Sequence, residues 1–388
     1  MQKEALSKFI KIFSDKPQVV VRAPGRLELL GNHTDYNGGY ILAVAVDLYT
    51  TILARKNNSS RVRLYTREFN RQTEFDLSEI TQNPEAKWAD YVKGVIVELK
   101  KAQVSLDGFD AFIYTSIPMG MGLSSSAALE TATAYTVGEL FGHKVEGMEL
   151  AKLCRRAEND FVGSRCGILD QFCSVFGKEH SALFLDCLTL EHEVIDFDDS
   201  NCALVVADSA VEHSIAEGEY STRHRECFSA AALIGKVLHR KIKLLREVQP
   251  EEFQQAADKL PEIERKRARH IVEENQRVLA GVSAVKAGEI EKLGQLMFES
   301  HRSSSTLFEN SCEELDALVK IAAKHPAAIG AKLSGGGFGG CTANLVRKEG
   351  VGDFAAYIKN EYQKTIGKHT ATITCSIGHG AVKLPYRS

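Results

Sequence analysis

The sequence predicts an α+β protein with a mixed sheet and helices in each half. Strand-like and helix-like segments are interspersed without the regular βαβ alternation of a doubly wound sheet. Strands crowd the first third, and long helices crowd the middle. The 388 residues suggest two or three domains at ~150 residues each. A change of character near 180–200 divides the chain into residues 1–190 and 191–388.

The elements follow from local pattern. PQVVVRA (17–23), TTILARK (50–56) and the alternating RVRLYTR (61–67) read as strands. GFDAFIYTSIP (108–118) is another, running into a glycine-rich turn. Beyond it SSSAALETATAYTVGELFG is a helix pattern whose serines can cap the first turn and whose Gly142 can end it. A second helix covers 145–162. ALVVADS (203–209) is a buried strand, and helices follow over 217–240, 250–286 and 288–300. The charges of 250–286 suit a solvated face. A helix over 312–326 stops at Pro326, before a glycine-rich segment (330–340), a strand (341–347), a helix (352–366) and a last strand (370–377) that can return to either half.

Composition excludes several classes. Lys and Arg total 48 against 51 Asp and Glu, a net charge of −3, so no positive excess exists for nucleic acid. No apolar run reaches the ~18 residues of a membrane span. Tyr40 to Ala54 comes nearest, interrupted by Asp47 and a Thr pair. The N-terminus, with Glu4, has no secretory pattern. Nine cysteines without a Cys-x-x-Cys suit free thiols in a reducing cytosol, so a cytoplasmic location is expected.

Three segments carry chemistry. In IPMGMGLSSSAALE (117–130) two close glycines and three serines join a strand to a helix. Glycine lets the backbone approach an anion, and the helix end adds unpaired N–H donors. This is a phosphate cradle but not a Walker A loop; by itself it also fits a glycine turn with a serine cap. AKLSGGGFGGCTANL (331–345) has five glycines in six positions, suited to close packing on phosphates or to a flexible turn. RAPGRLELLGNHTDYNGG (22–39) sets Arg26, Glu28, His33 and Asp35 between glycines after a strand. Such hydrogen-bonding groups suit a polyhydroxylated ligand, or a polar surface turn.

Together these segments resemble the superfamily of small-molecule kinases named for galactokinase, homoserine kinase, mevalonate kinase and phosphomevalonate kinase. Within it the chain resembles the galactokinase family over nearly its whole length, also through CGILDQFCSVFG, GEYSTRHREC and MFESHRSSS. The resemblance implies the two-domain fold of that superfamily, ATP as co-substrate with Mg²⁺, and transfer of the γ-phosphoryl group to the anomeric C1 hydroxyl of galactose. It implies that Gly120, Met121, Gly122, Leu123, Ser124, Ser125 and Ser126 wrap the triphosphate, with Gly336 and Gly337 beside it. Ser126 and Glu158 would hold Mg²⁺. Asp170 would be the catalytic base, and Arg26 would stabilise charge on the transferring group. Glu28, Asn32, His33, Thr34, Asp35, Gly167 and Tyr220 would bind the sugar. Asp170 also fits the N-cap of a helix beginning at Gln171, Glu158 a helix-surface acid, and His301 a structural role. The expected partners are sugar and ATP, with neither nucleic acid nor membrane, on a monomer or weak homo-oligomer.

One departure concerns the sugar. The family pattern is GRxNLIGEHxDYN, and this chain has GRLELLGNHTDYN. Glu28 stands where the family has Asn, and Asn32 where it has a glutamate on the C6 side of the sugar. Either an amide and a carboxylate have exchanged places, or the substrate is another hexose such as a uronate or amino sugar. A further alternative is a non-catalytic sugar sensor, but its phosphate loop would be impaired, and GLSSSAA is intact.

Overall fold

The computed structural model describes residues 2–143, 145–211 and 216–385. The chain runs α1 (Gln2–Phe13), β1 (Val19–Leu30), β2 (Tyr40–Lys56), β3 (Arg61–Thr66), β4 (Arg71–Asp76), α2 (Lys87–Lys101), β5 (Phe109–Thr115), α3 (Ser125–Phe141), α4 (Gly147–Arg156) and α5 (Leu169–Phe176). It continues through β6 (Ser181–Asp186), β7 (His192–Asp196), β8 (Cys202–Asp208), α6 (Ala216–Val237), α7 (Pro250–Ala257), α8 (Glu262–Ala287), α9 (Ile290–Ser303) and α10 (Glu313–Ala322). It ends with β9 (Ala328–Ser334), β10 (Cys341–Arg347), α11 (Val351–Ile366), β11 (Thr372–Cys375) and β12 (Val382–Lys383).

Two sheets organise these elements. The first has the order β12-β1-β2-β5-β3-β4, with β6 on the far end of β2 and β7 on β6. It is antiparallel except for β3 beside β5, hence a mixed sheet. The second is antiparallel, in the order β11-β8-β10-β9. One buried cluster takes Leu27, Leu30 and Val44 from the first sheet and Leu204, Val206 and Leu345 from the second, so the sheets share a core. The C-terminal segment returns to both: β11 pairs with β8, and β12 pairs with β1.

The long strands β1 and β2 carry the functional loops. Their pairing slips between Pro24 and Arg26 and again between Glu28 and Leu30. Between the slips Arg26 and Glu28 keep strict alternation, so both side chains leave one face of the strand. A side chain at Gly25 could not be accommodated, because its Cβ would lie 2.4 Å from the Leu123 carbonyl. The glycine thus lets the serine-rich loop rest on β1.

Five local expectations differ from the structure. The segment 250–286 is two helices, because Pro261 adopts φ −55°, ψ 155° and caps α8. The face of α8 is not simply solvated: Arg267, His270 and Glu274 are buried. Ser124 does not cap α3 through its side chain but turns the chain with φ 60°. Asp170 is not an N-cap; it lies in the first turn of α5, which Ile168 precedes. The segment 330–340 also contains most of β9, whose Ile329 and Leu333 are buried.

Helix α9 reaches β9 through two facing glycines. A Cβ on Gly294 would lie 2.0 Å from the Ile329 carbonyl oxygen, and one on Gly330 would lie 2.4 Å from the Gly294 Cα. Gly330→Ala is therefore expected to lower stability by about 1–3 kcal/mol, measured as a reduced denaturant midpoint.

Candidate active site

Strand β1, the loop after it, α5, α6 and the β9–β10 loop enclose a cavity of about 120 Å³. Arg26 and Asp170 form its base. Arg26 Nε and Nη2 both meet Asp170 Oδ1, at 2.8 and 2.7 Å, and Nη1 donates to the Gly122 carbonyl at 2.6 Å. Burial opposes the Arg26 charge, but Asp170 and Glu28 outweigh it and hold its pKa above the ordinary value. Both arginine contacts fall on Oδ1, which leaves Oδ2 directed to no described protein donor.

The walls bring together Glu28, His33, Asp35, Gly167, Tyr220 and Gly336. Asp35 Oδ1 accepts from the Tyr36 N–H at 2.8 Å. Its Oδ2 lies against Gly167, where a Cβ would come within 1.4 Å. Only glycine at 167 leaves room for that carboxylate. Burial, opposed by the Tyr36 bond and aided by the nearby Asp170 and Glu28, pushes the Asp35 pKa up to about 6. His33 is buried, and its pKa falls to about 3 despite the bond to Gly336. A neutral ring fixes the tautomer: Nε2–H donates to the Gly336 carbonyl at 2.9 Å, and Nδ1 accepts from the Tyr36 hydroxyl at 2.8 Å. Both nitrogens are thus occupied, and the ring meets the cavity as a packed surface beside Tyr220, 5.1 Å between centroids.

Two expected sugar contacts lie outside this cavity. Thr34 is fully buried, and its hydroxyl is committed to the carbonyls of Gly31 and Tyr40, at 2.8 and 2.6 Å. Asn32 is fully buried as well, with its side chain bonded to Gly335, Asn310, Ser304 and Glu28. Charged and polar groups of α8 hold this loop from below. Glu274 Oε1 accepts from the N–H groups of Gly31 and Asn32, at 2.9 and 3.3 Å, and His270 Nε2 donates to the Asn32 carbonyl at 3.1 Å. Burial alone would raise the Glu274 pKa; Arg277, His270, Lys332 and the Ser300 hydroxyl hold it at about 2.

The serine-rich loop lies between this cavity and a second, apolar one of about 310 Å³. Ser125 and Ser126 line the second cavity, and Trp88, Tyr91, Phe69 and Leu129 give it aromatic and aliphatic walls. Gly120 and Gly122 have φ of 79° and 70°, which brings their backbone round to the start of α3. Met121 and Leu123 are buried and anchor the loop, while Leu123 O accepts from the Arg26 N–H at 3.2 Å. The glycine loop after β9 abuts it, since a Cβ on Gly122 would lie 3.5 Å from Ser334 O. Gly337 packs against Asn310, where a Cβ would lie 2.0 Å from the carbonyl oxygen.

Behind the serines is a buried acidic cluster. Ser126 hydrogen-bonds Glu158, which burial and Asp170 push up to about 7. Gln171 Nε2 donates to Glu158 Oε2 at 2.7 Å and to Glu130 Oε2 at 3.1 Å. Glu130 Oε1 is buried without a partner, and burial raises that pKa well above the carboxylate range, with Glu158 adding to it. Ser126 and Glu158 are hard oxygen donors of the kind a small divalent cation takes, and Glu130 Oε1 is an unsatisfied buried oxygen behind them; among the described residues no group of three or more Asp, Glu, His or Cys side chains is placed to hold a metal by itself. Glu130 ends the serine motif but shows no sequence signal of its own, because its role depends on Glu158 and Gln171 arriving from α5 and the segment before it. The same holds for Lys332, whose partner Glu28 is remote in the chain, and for the bonds Glu274 accepts from the Gly31 and Asn32 amides.

This arrangement defines a small-molecule phosphotransferase of the GHMP kinase class. Models of the GHMP kinases N terminal domain and GHMP kinases C terminal match residues 90–178 and 282–364. The Galactokinase galactose-binding signature matches residues 7–56. The chain is 40% identical over 347 residues to a galactokinase of Thermotoga petrophila, covering 89% of this chain and 95% of that protein. It is 38% identical over 377 residues to a galactokinase of Roseiflexus, covering 97% and 96%. A crystal structure of Lactococcus lactis galactokinase complexed with galactose superposes with a TM-score of 0.93 at 36% identity, covering 99% of this chain and 100% of that one. Methanococcus jannaschii mevalonate kinase, at 19% identity and TM-score 0.67 over 93% of this chain and 98% of that one, shares the fold. The chain belongs to the galactokinase family.

The raised Asp35 pKa gives a stability prediction. The folded state disfavours the charged form, so folding is penalised above pH 6 and not below the ordinary carboxyl value of about 3.9. Asp35→Asn should raise the thermal midpoint at pH 7.5, with the gain shrinking steadily as pH falls from 7 to 4.

Proposed function

We propose that this protein transfers the γ-phosphoryl group of ATP to the anomeric hydroxyl of D-galactose, giving galactose 1-phosphate and ADP. The observation that carries the reading is the Arg26–Asp170 pair at the meeting point of the hydroxyl-binding cavity and the serine-rich loop. Phosphoryl transfer needs chiefly positioning and charge compensation, and this pair supplies both. Asp170, through Oδ2, takes the C1 hydroxyl proton or orients it. Arg26 stands where charge gathers on the transferring group. Glu28 and Asp35 accept from sugar hydroxyls, while Gly167, Tyr220 and the His33 ring shape the wall.

The amides from Gly120 to Ser126, at the start of α3, cradle the phosphates, and the Trp88–Tyr91 cavity beside them receives the adenine. Mg²⁺ would be held by Ser126 and Glu158, and when bound it neutralises the phosphates' charge. The division into residues 1–190 and 191–388 is part of this proposal. Arg26, Asp35 and Asp170 then face Tyr220 and Gly336 across the sugar cavity. A cytoplasmic monomer or weak homo-oligomer fits the free cysteines and the balanced charge. A non-catalytic sensor is disfavoured by the conjunction of Arg26, Asp170 and an uninterrupted serine loop.

Asp170→Asn should lower kcat by about 10²–10⁴-fold, with ATP binding unchanged by calorimetry; wild-type turnover would remove Asp170 from the mechanism. Ser126→Ala should raise KM for Mg²⁺·ATP more than KM for galactose in steady-state assays with each substrate varied.

A further inference from the structure

The exchange of residues at positions 28 and 32 has a definite structural outcome. The four protein bonds of Asn32 occupy both ends of its carboxamide: Oδ1 accepts from Ser304 Oγ and Asn310 Nδ2, at 3.2 and 2.8 Å, and Nδ2 donates to Gly335 O and Glu28 Oε1, at 2.8 and 3.3 Å. Nothing of it remains to meet a ligand. Glu28, by contrast, lines the sugar cavity.

The Glu28 carboxylate is tethered from one side. Lys332 Nζ, on a side chain with no solvent exposure, lies 2.5 Å from Glu28 Oε1, the same oxygen that Asn32 meets. Among the described residues, both bonds of the carboxylate fall on Oε1. Glu28 also shares a strand face with Arg26, whose partner Asp170 marks the reacting end. Two residues along a strand span about 6.5 Å, so Glu28 enters the cavity displaced along β1 by about that distance from Arg26 and its partner Asp170.

We propose that Glu28, fixed through Oε1 by Lys332 and Asn32, presents its other oxygen to the 4- or 6-hydroxyl of the sugar and thereby sets the substrate class. The cavity takes a neutral aldose that donates a hydrogen bond at that end and rejects a sugar acid. An ionised carboxylate only accepts, so a second carboxylate there meets like charge with no proton to share. Lys332 is a positioning residue: it compensates a charge that would otherwise be buried alone and holds it aimed at the sugar. The inference rests on the sugar 1-kinase reading above.

The test is steady-state kinetics of the wild type, Glu28→Gln, Lys332→Met and Lys332→Arg. The sugars are galactose, 4-deoxygalactose, 6-deoxygalactose and galacturonate, with the thermal midpoint of each variant recorded. Glu28→Gln, nearly isosteric, should raise the galactose KM about 10- to 100-fold while KM for ATP stays unchanged. One of the two deoxy sugars should be insensitive to that substitution, because it lacks the contacted hydroxyl. Lys332→Met should raise the galactose KM in the same way, and Lys332→Arg, which keeps the cation, should restore it. Wild type should discriminate strongly against galacturonate, and Glu28→Gln should narrow that gap. Equal losses on all four sugars, a fall in kcat with KM unchanged, or efficient wild-type use of galacturonate would overturn the proposal. If wild type turned over a different neutral aldose in place of galactose, the substrate assignment would fail. The Glu28→Gln ratio on that sugar and its deoxy forms would still decide the role of Glu28.

Discussion

The guanidinium of Arg26 is the constraint around which the active site is built. It projects from β1, meets Asp170 from α5 and the Gly122 carbonyl from the serine-rich loop, and is 5% exposed. Its partners lie 144 and 96 residues away in the chain. A buried cation needs compensation from fixed partners, so the contact that readies the site also fixes three segments against one another. The Gly25–Leu123 approach supports it, because any larger residue at position 25 would push the loop off the strand.

The candidate site holds its carboxylates in two groups. The cavity proposed for the sugar carries Glu28 and Asp35, one tethered by a buried lysine and the other raised toward neutrality. Behind the serine-rich loop lie Glu130 and Glu158, both raised by burial, with Asp170 adding to Glu158 and Glu158 adding to Glu130. Repelling carboxylates of this kind reduce stability in the absence of a counter-charge, and a cation and a polyhydroxylated ligand would each relieve part of it. Function is thus visible as local electrostatic tension that the rest of the fold holds in place.

The α8 helix shows where reasoning from pattern falls short. Its run of charges has the composition of a solvated face, yet Arg267, His270 and Glu274 are buried. Arg267 is satisfied by Glu226 and Glu309, and Glu274 by Arg277 and by loop amides. None of these partnerships has a sequence spacing that marks it, apart from the local Glu274–Arg277 pair. His33 is a milder case. Its place in a motif pointed to a sugar contact, but its hydrogen-bonding capacity is used by Tyr36 and Gly336. The same motif implies a sugar contact for Asn32, whose side chain instead packs inward against Ser304 and Asn310.

By itself, the sequence determined the α+β class, the glycine and serine loops, and the family. Each is encoded locally, in side-chain periodicity, in residues able to adopt positive φ, and in unbroken motifs such as LSSSAALE. Only the tertiary structure decided which polar residues face the cavity and which serve as its supports. That choice depends on which buried donors and acceptors meet partners hundreds of residues away. Glu28 and Asn32 are four positions apart on one chain, and the difference between wall and support is made by Lys332, Ser304 and Asn310.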